Sequence, residues 1–140
     1  MLKELLDTIG EHFPLGKRVS QEQGEKALYV IRRLFPKNKM FLGGSVAIVG
    51  AGNDVDIVMR GCEEDVLLAK SEGFVKGGEV YEGSPFTSLR YNNINLIIIF
   101  DNKDFKGFRL ANEVCINLRG ELDMDKHMRK ILHEAIRNAY

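Results

Sequence analysis

The chain has 140 residues, and its 20 basic and 20 acidic side chains give a formal net charge of zero at pH 7. This balance excludes the global basic field of a general DNA- or RNA-binding protein, although it is compatible with a local basic groove. The length predicts a single domain over residues 1–140, and a hydrophobic content of 44% is sufficient for one core.

Signals for export or membrane insertion are not found in the sequence. No apolar run approaches the length of a membrane span, and the N-terminus lacks a signal-peptide pattern. Cys62 and Cys115 are isolated and do not have metal-binding spacing, which indicates reduced thiols. We therefore expect a cytoplasmic protein that does not act at a membrane.

Two helices are predicted at the start of the chain. Apolar residues with helical spacing predict an amphipathic helix over residues 2–13, which Pro14 ends. Ser20 and Gln23 have the pattern of a capping box and mark the start of a second helix, which ends before Pro36.

A glycine-rich step followed by two carboxylates comes next. A strand predicted over residues 39–42 leads into Gly-Gly-Ser at 43–45, and Asp54 and Asp56 begin the following apolar segment. Because residues i and i+2 of a strand point to the same face, the carboxylates should lie together and repel each other unless a cation lies between them. The glycines allow a ligand to approach the backbone closely, and the serine hydroxyl and N–H groups can meet phosphate. This pattern predicts phosphoryl or nucleotidyl transfer with a divalent metal.

Two other interpretations of the same stretch are open. Residues 46–52 read VAIVGAG, which is the opening of a dinucleotide-binding fingerprint, but Val55 stands where the third glycine should be and a strand pattern follows where a helix should begin. The stretch could also be a hairpin of SVAIV and DVDIVM around a GAGN turn, with both aspartates merely solvated. The hairpin leaves Gly43 and Gly44 without a role.

The remaining elements predict a small mixed sheet. Acidic residues at 63–65 suit the start of a helix over residues 63–72, and strands are predicted at 79–82 and within 87–100. The most apolar run, residues 95–100, should be a central strand. Helices follow over roughly 103–118 and 123–138, in which the Met and Phe positions should be core stripes. We expect an α+β (mixed α/β) fold of about four to five strands with helices packed mainly on one face.

The order of the glycine step, a short turn and Asp-x-Asp on a strand resembles the signature of the DNA polymerase β-like nucleotidyltransferase superfamily. The chain looks most like the small stand-alone members found in bacteria and tailed phages. The resemblance implies a Mg²⁺- or Mn²⁺-dependent enzyme that moves NMP from an NTP such as ATP to a hydroxyl of a protein, an RNA or a small molecule. It also implies a nucleotidyltransferase-like fold, metal ligation by Asp54 and Asp56, and nucleotide binding by Gly43, Gly44 and Ser45.

The third carboxylate of that family would stand at the start of the strand next to the Asp-x-Asp strand. The matching position here is Asn95, which we predict to complete a catalytic set with Asp54 and Asp56. Asp101 lies six residues further on, roughly 20 Å away along a strand, and is more suited to a turn. Asparagine offers a neutral oxygen without charge. We therefore expect weakened transfer, or alternatively a degenerate module that acts through nucleotide binding or a protein partner.

Basic side chains are the expected contacts of a triphosphate, which needs cations or donors beyond the metal. We predict nucleotide binding by Arg90, Lys126 and Arg129, with Arg109 and Arg60 as further candidates. Each of these alone could also be a solvated or salt-bridged surface residue. The three histidines have no spacing that suggests catalysis or zinc binding.

Overall fold

The computed structural model describes residues 1–77, 86–119 and 126–140. The helices in these ranges are α1 (Leu2–Ile9), α2 (Gln21–Leu34), α3 (Gly44–Val49), α4 (Glu63–Ser71), α5 (Asn102–Leu118) and α6 (Lys126–Ala139). The strands are β1 (Val19–Ser20), β2 (Met40–Gly43), β3 (Ala51–Gly52), β4 (Val55–Arg60), β5 (Val75–Lys76), β6 (Phe86–Tyr91) and β7 (Ile94–Ile99). No helix within these ranges has both the length and the apolar character needed to cross a bilayer.

The main sheet has five strands in the order β2-β4-β7-β6-β5, and β1 and β3 form a separate antiparallel pair. Strands β4 and β7 are parallel, whereas the other neighbours in the main sheet are antiparallel. The most apolar run of the sequence, which was predicted to be a central strand, forms β7. This strand lies at the centre of the sheet. The predicted α+β class and the small mixed sheet are confirmed.

The two faces of the sheet carry cores of different size. Alternate residues of β4 point to opposite faces, so that Val55, Ile57 and Met59 join the large core and Val58 joins the smaller one. Helices α1, α2, α3 and α4 contribute buried side chains to the large core, in agreement with the prediction that helices pack mainly on one face. On the other face Phe105 of α5 packs in the smaller core, and α6 packs against α5.

Several element ends follow the predicted signals and one does not. The capping box at the start of α2 is confirmed, with Gln23 N–H donating to Ser20 Oγ at 3.2 Å and Ser20 N–H donating to Gln23 Oε1 at 2.9 Å. The predicted end of the first helix near residue 13 is wrong. Gly10 adopts φ 71° and its N–H donates to the carbonyl of Asp7, which closes α1 early. The strand predicted at 79–82 and the first residues of the helix predicted over 123–138 lie outside the described residues.

Both rival interpretations of the glycine-rich stretch are wrong. The hairpin requires a strand over SVAIV, but residues 44–49 form α3, which Gly50 ends in the left-handed conformation at φ 88°. The dinucleotide fingerprint requires a helix after GAG, but β4 follows instead. The chain therefore runs strand, short helix, strand between residues 40 and 60.

Gly24 explains how α2 and α3 pack closely. The sequence predicts only that this glycine weakens the first turns of α2. In the structure it is buried, and a Cβ at this position would lie 2.6 Å from Val46 Cγ1. The missing side chain therefore makes room for α3, which carries the glycine-rich step.

We predict that Gly24→Ala lowers the melting temperature. Alanine gains about 1 kcal/mol of helix propensity, but overpacking a well-packed contact costs about 1–3 kcal/mol. Thermal denaturation followed by circular dichroism would measure the balance. Glu25→Ala, at an exposed position of the same helix, is the control and should not destabilise the protein. A Gly24→Ala protein more stable than wild type would contradict the close packing of α2 on α3.

Candidate functional site

One lateral row of residues crosses four strands of the main sheet. Gly43 of β2 pairs with Asp56 of β4, Asp56 pairs with Asn95 of β7, and Asn95 pairs with Arg90 of β6. Residues in register on neighbouring strands point to the same face, so these side chains are lateral neighbours. The structure thus brings Asn95 beside the Asp-x-Asp strand, at the position expected from the sequence.

Hydrogen bonds link the members of this row. The Asn95 Nδ2 group donates to Asp56 Oδ1 at 2.9 Å, and Arg90 Nε donates to Asn95 Oδ1 at 3.1 Å. Arg90 Nη2 also donates to Asp54 Oδ1 at 3.3 Å, which brings the second carboxylate into the network. Asparagine can bridge Asp56 and Arg90 because its amide has both a donor and an acceptor, whereas an ionised aspartate could only accept.

The two glycines of the Gly-Gly-Ser step have different surroundings. Gly44 adopts φ 64°, and a Cβ there would overlap the Asp56 carboxylate at Oδ2. Gly43 has φ −119°, and a Cβ there would lie in ordinary contact, 3.4 Å from Val58 Cγ2. Position 44 therefore excludes side chains for two reasons, backbone conformation and close approach to Asp56.

A cavity of about 250 Å³ opens beside the carboxylates. Its lining combines the serine of the glycine-rich step, both aspartates and one side of α6. The lining residues are Gly44, Ser45, Ile48, Asn53, Asp54, Asp56, Lys126, Arg129, Lys130, His133 and Arg137. Basic side chains thus face an acidic pair across a space large enough to admit a ligand.

The predicted basic residues form two groups in the structure, those that lie at the cavity and those that lie away from it. Lys126 and Arg129 line the cavity, and Arg90 contacts Asp54 and Asn95 beside it. Arg109 instead forms a surface ion pair with Glu113 at 3.6 Å, and Arg60 is exposed at the other end of β4. Neither of these two lines the cavity.

Helix α6 presents its polar side to the cavity. Its lining residues recur three and four apart, from Lys126 to Arg137, and therefore share one face of the helix. The predicted core stripe on α6 is wrong for Met128, which is 51% exposed, and Ile131 on the same helix is 50% exposed. The physical reason is the orientation of the helix, which turns His133 towards Phe108, at a ring-centroid distance of 4.6 Å.

Five lining side chains were not predicted from the sequence, namely Ile48, Asn53 and, on α6, Lys130, His133 and Arg137. Their spacing on α6 marks a basic helix face, but the spacing alone does not say which element that face meets. Asn112 of α5 and Arg119, which follows that helix, were also not predicted. Asn112 Nδ2 donates to the Leu42 carbonyl at 3.3 Å, and Arg119 Nη1 donates to the Ile48 carbonyl at 3.1 Å. These bonds fix β2 and α3 from a part of the chain some seventy residues away.

Burial makes the acidic side of the cavity electrostatically costly. It raises the pKa of the Asp56 carboxyl above its usual range, and the charge of Asp54 adds to this effect. The hydrogen bond from Asn95 acts in the opposite direction, as do the charges of Lys126 and Arg90. A cation placed between the two carboxylates would relieve the same cost. Among the described residues no group of three or more His, Cys, Asp or Glu side chains could hold a metal.

One side chain on the basic side of the cavity, His133, is neutral. Burial lowers the pKa of His133 to about 4, and the nearby charge of Arg137 contributes. His133 is therefore uncharged at neutral pH. The Nε atom of Arg129 is buried and has no hydrogen-bond partner among the described residues. A buried donor of this kind favours an acceptor ligand such as phosphate.

No protein-family model and no curated protein matches this sequence. Three of the solved structures that match its fold are a cytoplasmic RNA terminal U-transferase and two structures of the Cid1 poly(U) polymerase, one with MgGTP bound and one with the UTP analog UMPNPP. The TM-scores are 0.43, 0.45 and 0.42, each at 16% identity over 91%, 94% and 94% of this chain. The chain spans less than half of those structures, 41%, 45% and 42% of their lengths. The likeness is limited to the general fold, so function has to be inferred from the side chains described above.

We predict that Gly44→Ala disrupts the acidic pair whereas Gly43→Ala does not. Alanine at 44 needs a left-handed backbone, at a cost of about 1–2 kcal/mol, and it displaces the Asp56 carboxylate. Gly43→Ala is the matched control because its Cβ meets only ordinary contacts. Denaturant unfolding and NMR of the Asp56 side chain would compare the two variants. Equal stability and an unchanged Asp56 signal in both would contradict this geometry.

We predict that His133 contributes to acid sensitivity. The unfolded chain binds a proton at this side chain near pH 6.5, whereas the folded protein binds it only near pH 4. The free energy of unfolding should therefore fall as the pH drops from about 6.5 to about 4, and His133→Gln should lack this part of the loss. Urea unfolding across this pH range measures the effect. His127→Gln, on an exposed position of α6, controls for the loss of a histidine. A His133→Gln profile identical to wild type would contradict the buried, neutral state.

Proposed function

We propose that this chain is a nucleotidyltransferase that binds a divalent cation and a nucleoside triphosphate in the cavity beside Asp54 and Asp56. The observation that carries the proposal is the pairing of two close carboxylates with a basic helix face across one space. A metal–triphosphate complex has the complementary arrangement, a cation next to a chain of phosphates. ATP is the first nucleotide to test, since the described residues give no reason to favour another base.

The donor set fits one Mg²⁺ or Mn²⁺ ion. Both metals prefer oxygen ligands, and Mg²⁺ is commonly held by one or two carboxylates together with substrate phosphates. Asp54 and Asp56 supply such carboxylates, and the raised pKa of Asp56 indicates a site that would gain from added positive charge. When bound, the metal would neutralise phosphate charge and orient the reacting groups.

The residues around the pair suit a triphosphate. Ser45 offers a hydroxyl at the cavity, and the Asp56 carboxylate occupies the space that a side chain at Gly44 would fill. Lys126 and Arg129 face the carboxylates from α6 and would bind phosphate oxygens through charge-assisted hydrogen bonds. In the proposed reaction a hydroxyl oxygen of the acceptor attacks the α-phosphorus, the bond between the α-phosphorus and the bridging oxygen breaks, and pyrophosphate leaves. The hydroxyl proton passes to solvent or to a nearby carboxylate, and the acceptor is a protein, an RNA or a small molecule.

A second function, nucleotide binding without rapid transfer, is favoured by one specific observation. The side chain in register with Asp56 is Asn95, which is neutral and already hydrogen-bonded to both Asp56 and Arg90. It therefore adds no negative charge with which to hold an activating metal. In this alternative the chain acts through bound nucleotide or a protein partner.

We predict that Mg²⁺ with a non-hydrolysable ATP analogue raises the melting temperature of wild type. Asp54→Asn and Asp56→Asn should lose the metal-dependent part of the shift. Arg129→Ala should weaken analogue binding about ten- to a hundredfold, since a hydrogen bond to a charged group contributes about 1.5–3 kcal/mol. Thermal shift and calorimetric titration measure these effects, and incubation with α-labelled ATP tests transfer.

Matched controls for this experiment lie on the surface of α5. Asp104→Asn removes a carboxylate from an exposed position, and Arg109→Ala removes a guanidinium that forms a surface ion pair with Glu113. Both should bind as wild type does. Binding without labelling of any acceptor would favour the alternative function. If neither metal nor nucleotide affects wild type, both proposals are wrong.

A further inference from the structure

Arg90 occupies an unusual place for a cation in a site expected to bind metal. Its Cα pairs across the sheet with Asn95, and its guanidinium reaches past that residue to Asp54. Two contacts hold it, one to Asn95 Oδ1 at 3.1 Å and one to Asp54 Oδ1 at 3.3 Å. A positive charge is thus built into the network that a second metal ion would need.

We propose that Arg90 is the fixed second cation of this site, so that Asp54 and Asp56 hold a single divalent ion. This inference depends on the proposed function only in assuming that the two aspartates bind metal. It explains Asn95 from the structure, since a neutral amide can accept from Arg90 and donate to Asp56 at the same time. The residues therefore fit one divalent ion and do not fit a second.

The hydrogen bonds of the network engage one oxygen of each carboxylate and leave the other oxygen for that one ion. Oδ1 of Asp56 accepts from Asn95, whereas Oδ2 points towards the bare backbone of Gly44. In Asp54 the Oδ1 atom accepts from Arg90, and a carboxylate has a second oxygen with further lone pairs. The bonds within the row thus use one oxygen of each aspartate.

The charge of the network also favours one divalent ion over two. Within the hydrogen-bonded network alone, two ionised aspartates and one arginine carry one net negative charge, which a single divalent ion turns into one net positive charge. A second ion would enter against this positive charge at close range, where the interaction is weakly screened. With Asn95→Asp and Arg90→Gln together, the hydrogen-bonded network would hold three carboxylates and no arginine, and two divalent ions would restore the same net charge within it.

The test is to count bound Mn²⁺ by electron paramagnetic resonance, with the metal alone added to the folded full chain. Wild type should bind one Mn²⁺, and so should Asn95→Asp, because Arg90 would pair with the new carboxylate. Arg90→Gln should bind its single Mn²⁺ about tenfold more tightly, owing to the loss of one nearby positive charge. Arg90→Gln/Asn95→Asp should bind two, with the dipolar broadening of neighbouring Mn²⁺ ions.

Arg109→Gln/Asn102→Asp makes the same charge change at exposed positions of α5 and should bind one Mn²⁺ as wild type does. Two adjacent Mn²⁺ ions in wild type, or a single one in the Arg90→Gln/Asn95→Asp protein, would overturn the role of Arg90. No Mn²⁺ bound to wild type would overturn the metal premise of the proposed function as well. A failure of wild type to bind nucleotide, with one Mn²⁺ still bound, would contradict the proposed function alone.

Discussion

The hydrogen bond between Asn95 and Asp56 is the interaction on which the geometry of the site depends. It joins the two parallel strands at the centre of the sheet through their side chains, at the position where their backbones are also in register. On one side it orients Asp56 towards Gly44, and on the other it presents an acceptor to Arg90. A change at either residue would disturb a row that extends over four strands.

That row also constrains the local backbone. The Asp56 carboxylate lies so close to Gly44 that β2 can turn into α3 only through a residue without a side chain. Position 24 also excludes a side chain without rearrangement, because α2 packs directly on Val46 of α3 at Gly24. A helix of six residues is therefore held by the tight packing around it, more than by its own propensity.

Much of this fold follows from local patterns in the sequence. Hydrophobic periodicity predicts the central strand and α5, and the capping box predicts the start of α2, because these signals are local. The i, i+2 spacing predicts that the two aspartates lie together because strand parity is regular, whereas the place of Asn95 beside them was implied only by the resemblance of the signature. The end of α1 could not be predicted from Pro14, since the earlier Gly10 satisfies the helix carbonyls first.

The basic side of the site was harder to predict because it depends on tertiary orientation. An amphipathic pattern in α6 predicts a buried apolar side, but contacts such as Arg137 over the Phe108 ring, at 5.2 Å, turn the basic side inwards. Asn112 of α5 and Arg119, which follows that helix, donate hydrogen bonds to carbonyls of β2 and α3, and such long-range contacts have no local sequence signal.

The orientation of α6 has a consequence for how the site is held together. No residue of α6 is fully buried, so the helix gains less from the hydrophobic effect than the helices that line the large core do. The acidic side of the cavity, formed by Asp54 and Asp56, lies at the start of β4. The basic side belongs to α6, which packs chiefly on α5. A metal–triphosphate complex placed between them would contact both sides, with its cation at the aspartates and its phosphates at α6, and would act as a structural crosslink. The bound ligand would then also stabilise the position of α6 beside the sheet.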